Sequence, residues 1–230
     1  MHPLIITAMS IGFIHTLIGP DHYLPFIVMG KARKWSLKKI ITITILCGIG
    51  HVLGSVILGF LGIALGIAAA KLEIIEGFRG NLAAWMLTAF GLAYAVWGLR
   101  VGLRAREHSH SHDHDHKDHH HSHHHLGSHT HLHGDMKSLT PWMLFIIFIL
   151  GPCEPLIPIL MYPAASGSWG LLFAVTMAFS VVTIGTMTAI VWIISRGWVV
   201  LNFSKIEPYI HTIAGLIIAI TGFAILFLGL

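Results

Sequence analysis

Charge is scarce in this chain. Asp, Glu, Lys and Arg make up 10% of its 230 residues and hydrophobic residues 55%, where an ordinary soluble domain carries about 25% charge. That excludes a typical water-soluble domain and points to a polytopic membrane protein. Cysteine is scarcer still: Cys47 and Cys153 cannot build a disulfide framework. The opening "MHPLIITAMS" has no basic stretch, so no cleaved signal is expected and the first span starts almost at once. The net charge of +4 gives no case for nucleic acid, because the basic residues sit where membrane topology needs them.

What is present is apolar sequence in long runs. Six stretches can cross a ~30 Å hydrocarbon core, at about 3–29, 39–70, 81–104, 139–163, 168–195 and 208–230. Lipid cannot satisfy backbone polar groups, so the spanning element is helical. Twelve of the 14 Lys and Arg fall in alternate loops: Lys31, Arg33, Lys34, Lys38 and Lys39; Arg100, Arg104, Arg106, Lys117 and Lys137; Arg196 and Lys205. Only Lys71 and Arg79 fall in the others. The positive-inside rule puts these basic loops in the cytoplasm and both termini outside.

Two stretches resemble one another. "GPDHYLPFIVMG" begins at Gly19 and "GPCEPLIPILMYP" at Gly151. With the two Gly-Pro pairs superposed, His22 falls opposite Glu154, Asp21 opposite Cys153, and His51 opposite Thr183. Each copy opens a set of three spans. Three is odd, so the second copy enters from the other side, the pattern of an inverted-topology repeat whose broken helices mark a midplane site. The expected fold is an all-α membrane protein of six transmembrane helices in a 3+3 inverted repeat, with Pro-broken first and fourth helices. Its parts are a first three-helix repeat (1–104), a loop (105–138) and a second three-helix repeat (139–230). Pro20 and Pro152 lack an N–H, which frees the carbonyls of Thr16 and Phe148. In a membrane those carbonyls must find a helix partner, water or a cation.

Ionisable groups cluster at the same depth. His15 lies 12 residues beyond Pro3, about 18 Å into its span. His51 and Glu154 lie at comparable depth in theirs. Buried ionisable groups cost about 2.5–3.5 kcal/mol each on insertion scales, so they argue for function. Asp21 and Glu154 are the acidic residues inside the six stretches, with His15, His22 and His51 beside them. Imidazole with carboxylate suits Ni²⁺, Co²⁺, Zn²⁺ or Fe²⁺. Plainer roles compete: Asp21 as an N-cap, His15 and His51 as contacts between helices, Glu154 as a proton carrier or cap, His211 as an interfacial residue. The joint occurrence favours a cation site over separate accidents. A weaker candidate is His2, whose amide and ring could chelate nickel with the α-amine. The pairs Gly50/Gly54, Gly62/Gly66 and Gly98/Gly102 fit small-xxx-small helix packing.

Residues 108–133 contain 14 histidines interleaved with Asp113, Asp115 and Asp118. The segment has no apolar periodicity, so a disordered cytoplasmic linker is expected. Its density of imidazole, His108, His110, His112, His114, His116, His119, His120 and His121 among the ligands, reads as a metal buffer or sensor rather than the path across the membrane.

At "HTLIGPDH", from His15 to His22, the chain resembles the nickel/cobalt transporter family of the NicO type and its UreH-like relatives. The likeness includes a histidine shortly before Asp-His in the first span, a histidine-rich loop and six spans. It implies a nickel or cobalt permease in which His15, Asp21 and His22 are signature ligands. The family's permeases carry four residues between His and Asp-His; here there are five. "GPCEP" also looks like the span-opening motif of the CcdA/DsbD thiol-electron conduits, which belong to the same wider superfamily. Those use a cysteine in each repeat, and here Asp21 stands where the first would be.

The reading is therefore a non-enzymatic inner-membrane transporter of Ni²⁺ or Co²⁺, with a midplane site of His15, Asp21, His22, His51 and Glu154. The alternative is a transmembrane thiol-disulfide conduit. No permanently bound cofactor is expected. The partners are the metal ion and the lipid bilayer, not nucleic acid, and a metallochaperone or homo-oligomer is compatible with them.

Overall fold

A computed structural model describes residues 2–107, 135–197 and 204–228. Among the described residues every element is helical, with no strand. The order is α1 (Pro3–Ile18), a 3₁₀ turn (Pro20–His22), α2 (Leu24–Ala32), α3 (Leu37–Ala64), α4 (Ala69–Glu107), α5 (Asp135–Leu150), α6 (Leu156–Ala165), α7 (Trp169–Gly197), a second 3₁₀ turn (Ser204–Tyr209) and α8 (Ile210–Leu228). The histidine-rich segment, including the eight histidines named above, lies outside the described residues.

Among the described residues, four helical segments are long and apolar enough to cross a membrane: Leu37–Ala64, Ala69–Arg104, Trp169–Gly197 and Glu207–Leu228. Pro3–Ile18 and Pro20–Ala32 pass that test together as a fifth, but they are bent by 83° at the break. At 1.5 Å per residue the 16-residue α1 is about 24 Å long, short of a full crossing on its own. Thr140–Leu150 and Leu156–Ala165 are shorter apolar helices. Apolar side chains cover the exterior, among them Phe13, Leu53, Trp85, Phe173, Val181 and Ile220. That is the outer surface of a protein suited to lipid rather than water.

The breaks come from proline. α1 stops at Ile18, where the next helical residue would be followed by Pro20, and Gly19 takes an extended conformation. Between α5 and α6 the run Gly151-Pro152-Cys153-Glu154-Pro155 has no regular helix. Beyond the breaks, α2 is buried along nearly its whole length and α6 on one side, with Pro158 and Tyr162 exposed. Phe26, Ile27, Val28, Met29 and Ala32 of α2 pack against α3, α7 and α8; Leu156, Ile157, Ile159 and Leu160 of α6 pack against α3, α4 and α7. The helix starts repeat in register with the Gly-Pro pairs. Pro3, Leu24 and Leu37 open α1, α2 and α3; Asp135, Leu156 and Trp169, each displaced by the interval that separates Gly19 from Gly151, open α5, α6 and α7. Contacts follow the same correspondence: α1 packs on α7 and α5 on α3, α2 on α8 and α6 on α4.

Two expectations need correction. The third span does not begin at residue 81: α4 starts at Ala69, so Lys71 and Arg79 are helical. Gly66 does not pack against a helix. Its φ is +64° with nothing within 4 Å of a built Cβ, so it ends α3 in a left-handed turn that favours glycine. Many other glycines serve close packing, most of all between α4 and α8, where backbones nearly touch. A Cβ on Gly215 would collide with the Ala95 nitrogen, and one on Gly91 with that of Ala219. Gly215→Ala should therefore force the helices apart and cost about 1–3 kcal/mol, seen as a lowered thermal-unfolding midpoint in detergent. Gly185→Ala, in the interior of α7 with open space around it, should not lower the midpoint and should raise it slightly, since a helix interior favours alanine over glycine by about 0.5–1 kcal/mol.

Candidate metal centre

The first break brings a histidine from each side of itself together. His15 lies in the last turn of α1 and His22 in the 3₁₀ turn, and their rings meet edge to face with centroids 4.8 Å apart. Gly19 makes room for this: a Cβ there would stand 2.6 Å from His22 Nδ1. His51 of α3 extends the stack, its ring 5.0 Å from that of His22. His22 and His51 are each only 3% exposed.

Hydrogen bonding sets which ring nitrogen is free. His22 Nδ1 faces the Gly19 carbonyl at 3.2 Å and the Asp21 Oδ1 at 3.0 Å. His51 Nδ1 faces the Phe148 carbonyl at 3.3 Å. A carbonyl or carboxylate only accepts, so Nδ1 is the protonated nitrogen in both rings. In the neutral imidazole the lone pair then lies on Nε2. The Nε2 atoms of His15, His22 and His51 are all buried without a hydrogen-bond partner. Buried polar atoms are ordinarily paired. Three orphaned ring nitrogens in adjacent side chains, two of them oriented by oxygen acceptors on the opposite nitrogen, have the form of metal-ligating histidines with their supporting partners.

The second break supplies one of those acceptors. Pro152 has no N–H to give Phe148, and the carbonyl is met by the Gly151 N–H at 3.1 Å and by His51. The freed carbonyl thus orients a ring on another helix. Its neighbours are held differently. Arg79 of α4 donates to the Ile149 carbonyl at 2.8 Å, and Glu76, one turn earlier, accepts from the Cys153 N–H at 3.1 Å. Ser55 of α3 donates to Glu76 at 3.0 Å and also accepts from the Cys153 N–H at 3.1 Å. Glu76 and Arg79 are paired with each other, and Glu76 is fully buried.

A cavity of about 620 Å³ joins the two breaks. His15, Asp21, His22, His51, Gly151, Pro152 and Glu154 line it, with apolar walls from α1, α4, α5 and α8. One nitrogen each of His15 and His51 and the Cys153 sulfur lie within 4.8 Å of one another, the one such set among the described residues; His22 adjoins it through ring contacts and is not part of it. Cys153 does not itself line the cavity and is fully buried in an apolar cluster with Leu156, Leu160 and Phe179. Cys47 packs in a separate cluster, and both thiols are free.

The expected residues divide as follows. His15, Asp21, His22 and His51 are brought together. Asp21 holds the His22 ring; α2 has no side-chain cap, so the capping role falls to neither Asp21 nor another residue. His51 does bond a neighbouring helix, but through one nitrogen only. Glu154 is exposed and reaches the centre only as part of the cavity wall. His2 is exposed and its Nδ1 accepts from the Leu4 N–H at 3.2 Å, capping α1. Thr183 is buried against Gly12 rather than in the cavity wall. His211 stands apart, its Nδ1 2.8 Å from the Tyr94 hydroxyl and its ring on Trp97.

Glu76 was missed. Asp21 and Glu154 are not the only acidic residues in apolar helices, because "KLEIIEGFRGN" has the charge of a loop yet continues α4. The available signal was the spacing: Glu76 and Arg79 are i and i+3 on a helix, where opposite charges compensate. Comparison with known proteins finds no matching family model, curated protein or solved structure. Fold and site together define a helical protein with membrane-length helices and a buried imidazole cluster between two helix breaks.

Removing one member of the buried pair leaves the other charged and uncompensated, at a cost of about 3–5 kcal/mol. Glu76→Ala should therefore lower the detergent unfolding midpoint sharply. Glu76→Leu combined with Arg79→Met should recover much of the loss, because both charges then go together.

Proposed function

We propose that the protein is a transmembrane permease for a divalent transition-metal ion, nickel or cobalt, related to the NicO/UreH-like transporters. The observation that carries this reading is the trio of buried, unpartnered Nε2 atoms beside a cavity bounded by two interrupted helices. Neutral imidazole is a good ligand for these ions near pH 7, and a nearby carboxylate offsets their charge. Asp21 serves through His22, raising the basicity of the ring that it orients. His15, His22 and His51 take the partly dehydrated ion, and Glu154 at the cavity wall offers an oxygen to an ion entering or leaving.

Alternating exposure of this centre to either side would move the ion. The constant offset between α1–α3 and α5–α7, with their exchanged packing, supports a 3+3 inverted repeat of six spans in which α1–α2 and α5–α6 each act as one broken span. Such repeats move by rocking one half against the other around a fixed site. The basic residues then set both termini outside and the histidine-rich loop in the cytoplasm of an inner membrane, where the loop buffers metal next to the exit or entrance.

Reconstituted vesicles test the assignment. His22→Ala and Asp21→Ala should each abolish Ni²⁺ and Co²⁺ flux while the protein remains folded by circular dichroism; wild-type flux in either variant contradicts it. Deletion of residues 108–133 should change apparent affinity without stopping flux. Complete loss of flux on that deletion would show that the loop belongs to the path itself.

A further inference from the structure

We propose that Cys153 is a metal ligand, so that the centre is a mixed imidazole–thiolate site selective for ions with sulfur affinity. The inference deepens the permease reading and rests on it. The sulfur of Cys153 and one nitrogen each of His15 and His51 lie within 4.8 Å of one another. Ligand atoms around a tetrahedral ion with bonds of 2.0–2.3 Å stand roughly 3.3–3.8 Å apart, so a contraction of about 1 Å closes the set. The two imidazoles supply buried Nε2 atoms with no other partner.

Three further features separate Cys153 from a cysteine that merely fills space. Its backbone is clamped: the N–H is shared between Ser55 Oγ and Glu76 Oε2, both at 3.1 Å, and the Arg79 side chain that pairs with Glu76 also holds the Ile149 carbonyl. A buried ion pair is a costly way to position an inert residue. Cys153 also follows Gly151-Pro152 as Asp21 follows Gly19-Pro20, so it holds the corresponding place in the second break. Each break thus contributes a potential anion at the same position, a carboxylate behind His22 in one and a thiol beside His15 and His51 in the other. Cys153 further lies within the break itself, where the clamp on its N–H and the apolar cluster around its side chain, rather than a helix ladder, hold the residue.

On binding, the thiol S–H bond breaks, a sulfur–metal bond forms and the proton leaves to solvent by way of the cavity that His15 and His51 line, with no change of oxidation state. Two imidazoles and one thiolate suit Co²⁺, Ni²⁺ and Zn²⁺ and disfavour Mn²⁺ and Mg²⁺, which prefer oxygen.

Cobalt reports this directly in the purified full-length protein. A thiolate bound to Co²⁺ gives an intense charge-transfer band in the near ultraviolet, and the histidine-rich loop, having no cysteine, cannot produce it. Wild type and Cys47→Ser should show the band with Co²⁺; Cys153→Ser and Cys153→Ala should lack it. His15→Ala should weaken it. Ligand loss should lower the apparent Co²⁺ affinity in flux at least as much as the ~10–100-fold typical of a supporting residue, and Cys153→Ser should narrow the preference for Co²⁺ over Mn²⁺. Persistence of the band in Cys153→Ser overturns the inference. So does its absence from a wild-type protein that carries Co²⁺ flux, an outcome that leaves the permease reading standing. Absence of flux in wild type defeats the permease reading, and with it this one.

Discussion

Everything about the centre depends on backbone groups that have lost their helical partners. Where Pro152 interrupts the ladder, the Phe148 carbonyl has no i+4 donor and takes the His51 Nδ1–H in addition to a tighter turn. Where Pro20 does so, Gly19 is extended and its carbonyl accepts from both the backbone and the ring of His22. At the second break an acceptor freed by proline consumes one imidazole nitrogen, and at the first the carbonyl of the extended Gly19 does so; each leaves the other nitrogen as a lone pair. A continuous helix would have used those carbonyls internally. The rings would then have been free to pair elsewhere, and their buried Nε2 atoms would not have been left without partners.

The two breaks are stabilised by different means. The first is closed by its own residues, through the Asp21–His22 contact and short-range backbone bonds. The second borrows from α3 and α4, through Ser55, Glu76 and Arg79. This places two charges in a low-dielectric interior, where they stand only as a pair and only while their remaining bonding capacity is met. Ser55 and the Cys153 N–H meet it for Glu76, and the Ile149 carbonyl for Arg79. These bonds hold Ile149 and Cys153, on the two sides of Pro152, against α3 and α4, so the clamp fixes the backbone at the break.

Much of this was legible from residue spacing, and the parts that were not have physical reasons. The recurrence of Gly-Pro at Gly19 and Gly151 located both breaks, because proline acts on the backbone irrespective of tertiary context. Grouping His15, Asp21, His22 and His51 needed only helical depth and the cost of burying polar groups. The start of α4 was misplaced because hydropathy averages over Lys71, Glu73, Glu76 and Arg79 and cannot see that Glu76 and Arg79 neutralise one another. Glu154 was matched to His22 by alignment, but alignment carries no direction, and the side chain beside it, that of Cys153, is the one turned toward the imidazoles. Gly66 looked like a packing residue because spacing alone cannot distinguish a helix interior from its last turn.

The central claim is that several imidazole Nε2 atoms converge on one divalent ion. X-ray absorption at the metal edge tests it most directly, using nickel-loaded protein in which residues 108–133 are replaced by a glycine–serine linker so that the loop contributes no signal. The account predicts tightly retained nickel with the multiple-scattering pattern of at least two imidazoles. Nickel that washes away, or a shell of oxygen scatterers without imidazole, would contradict it.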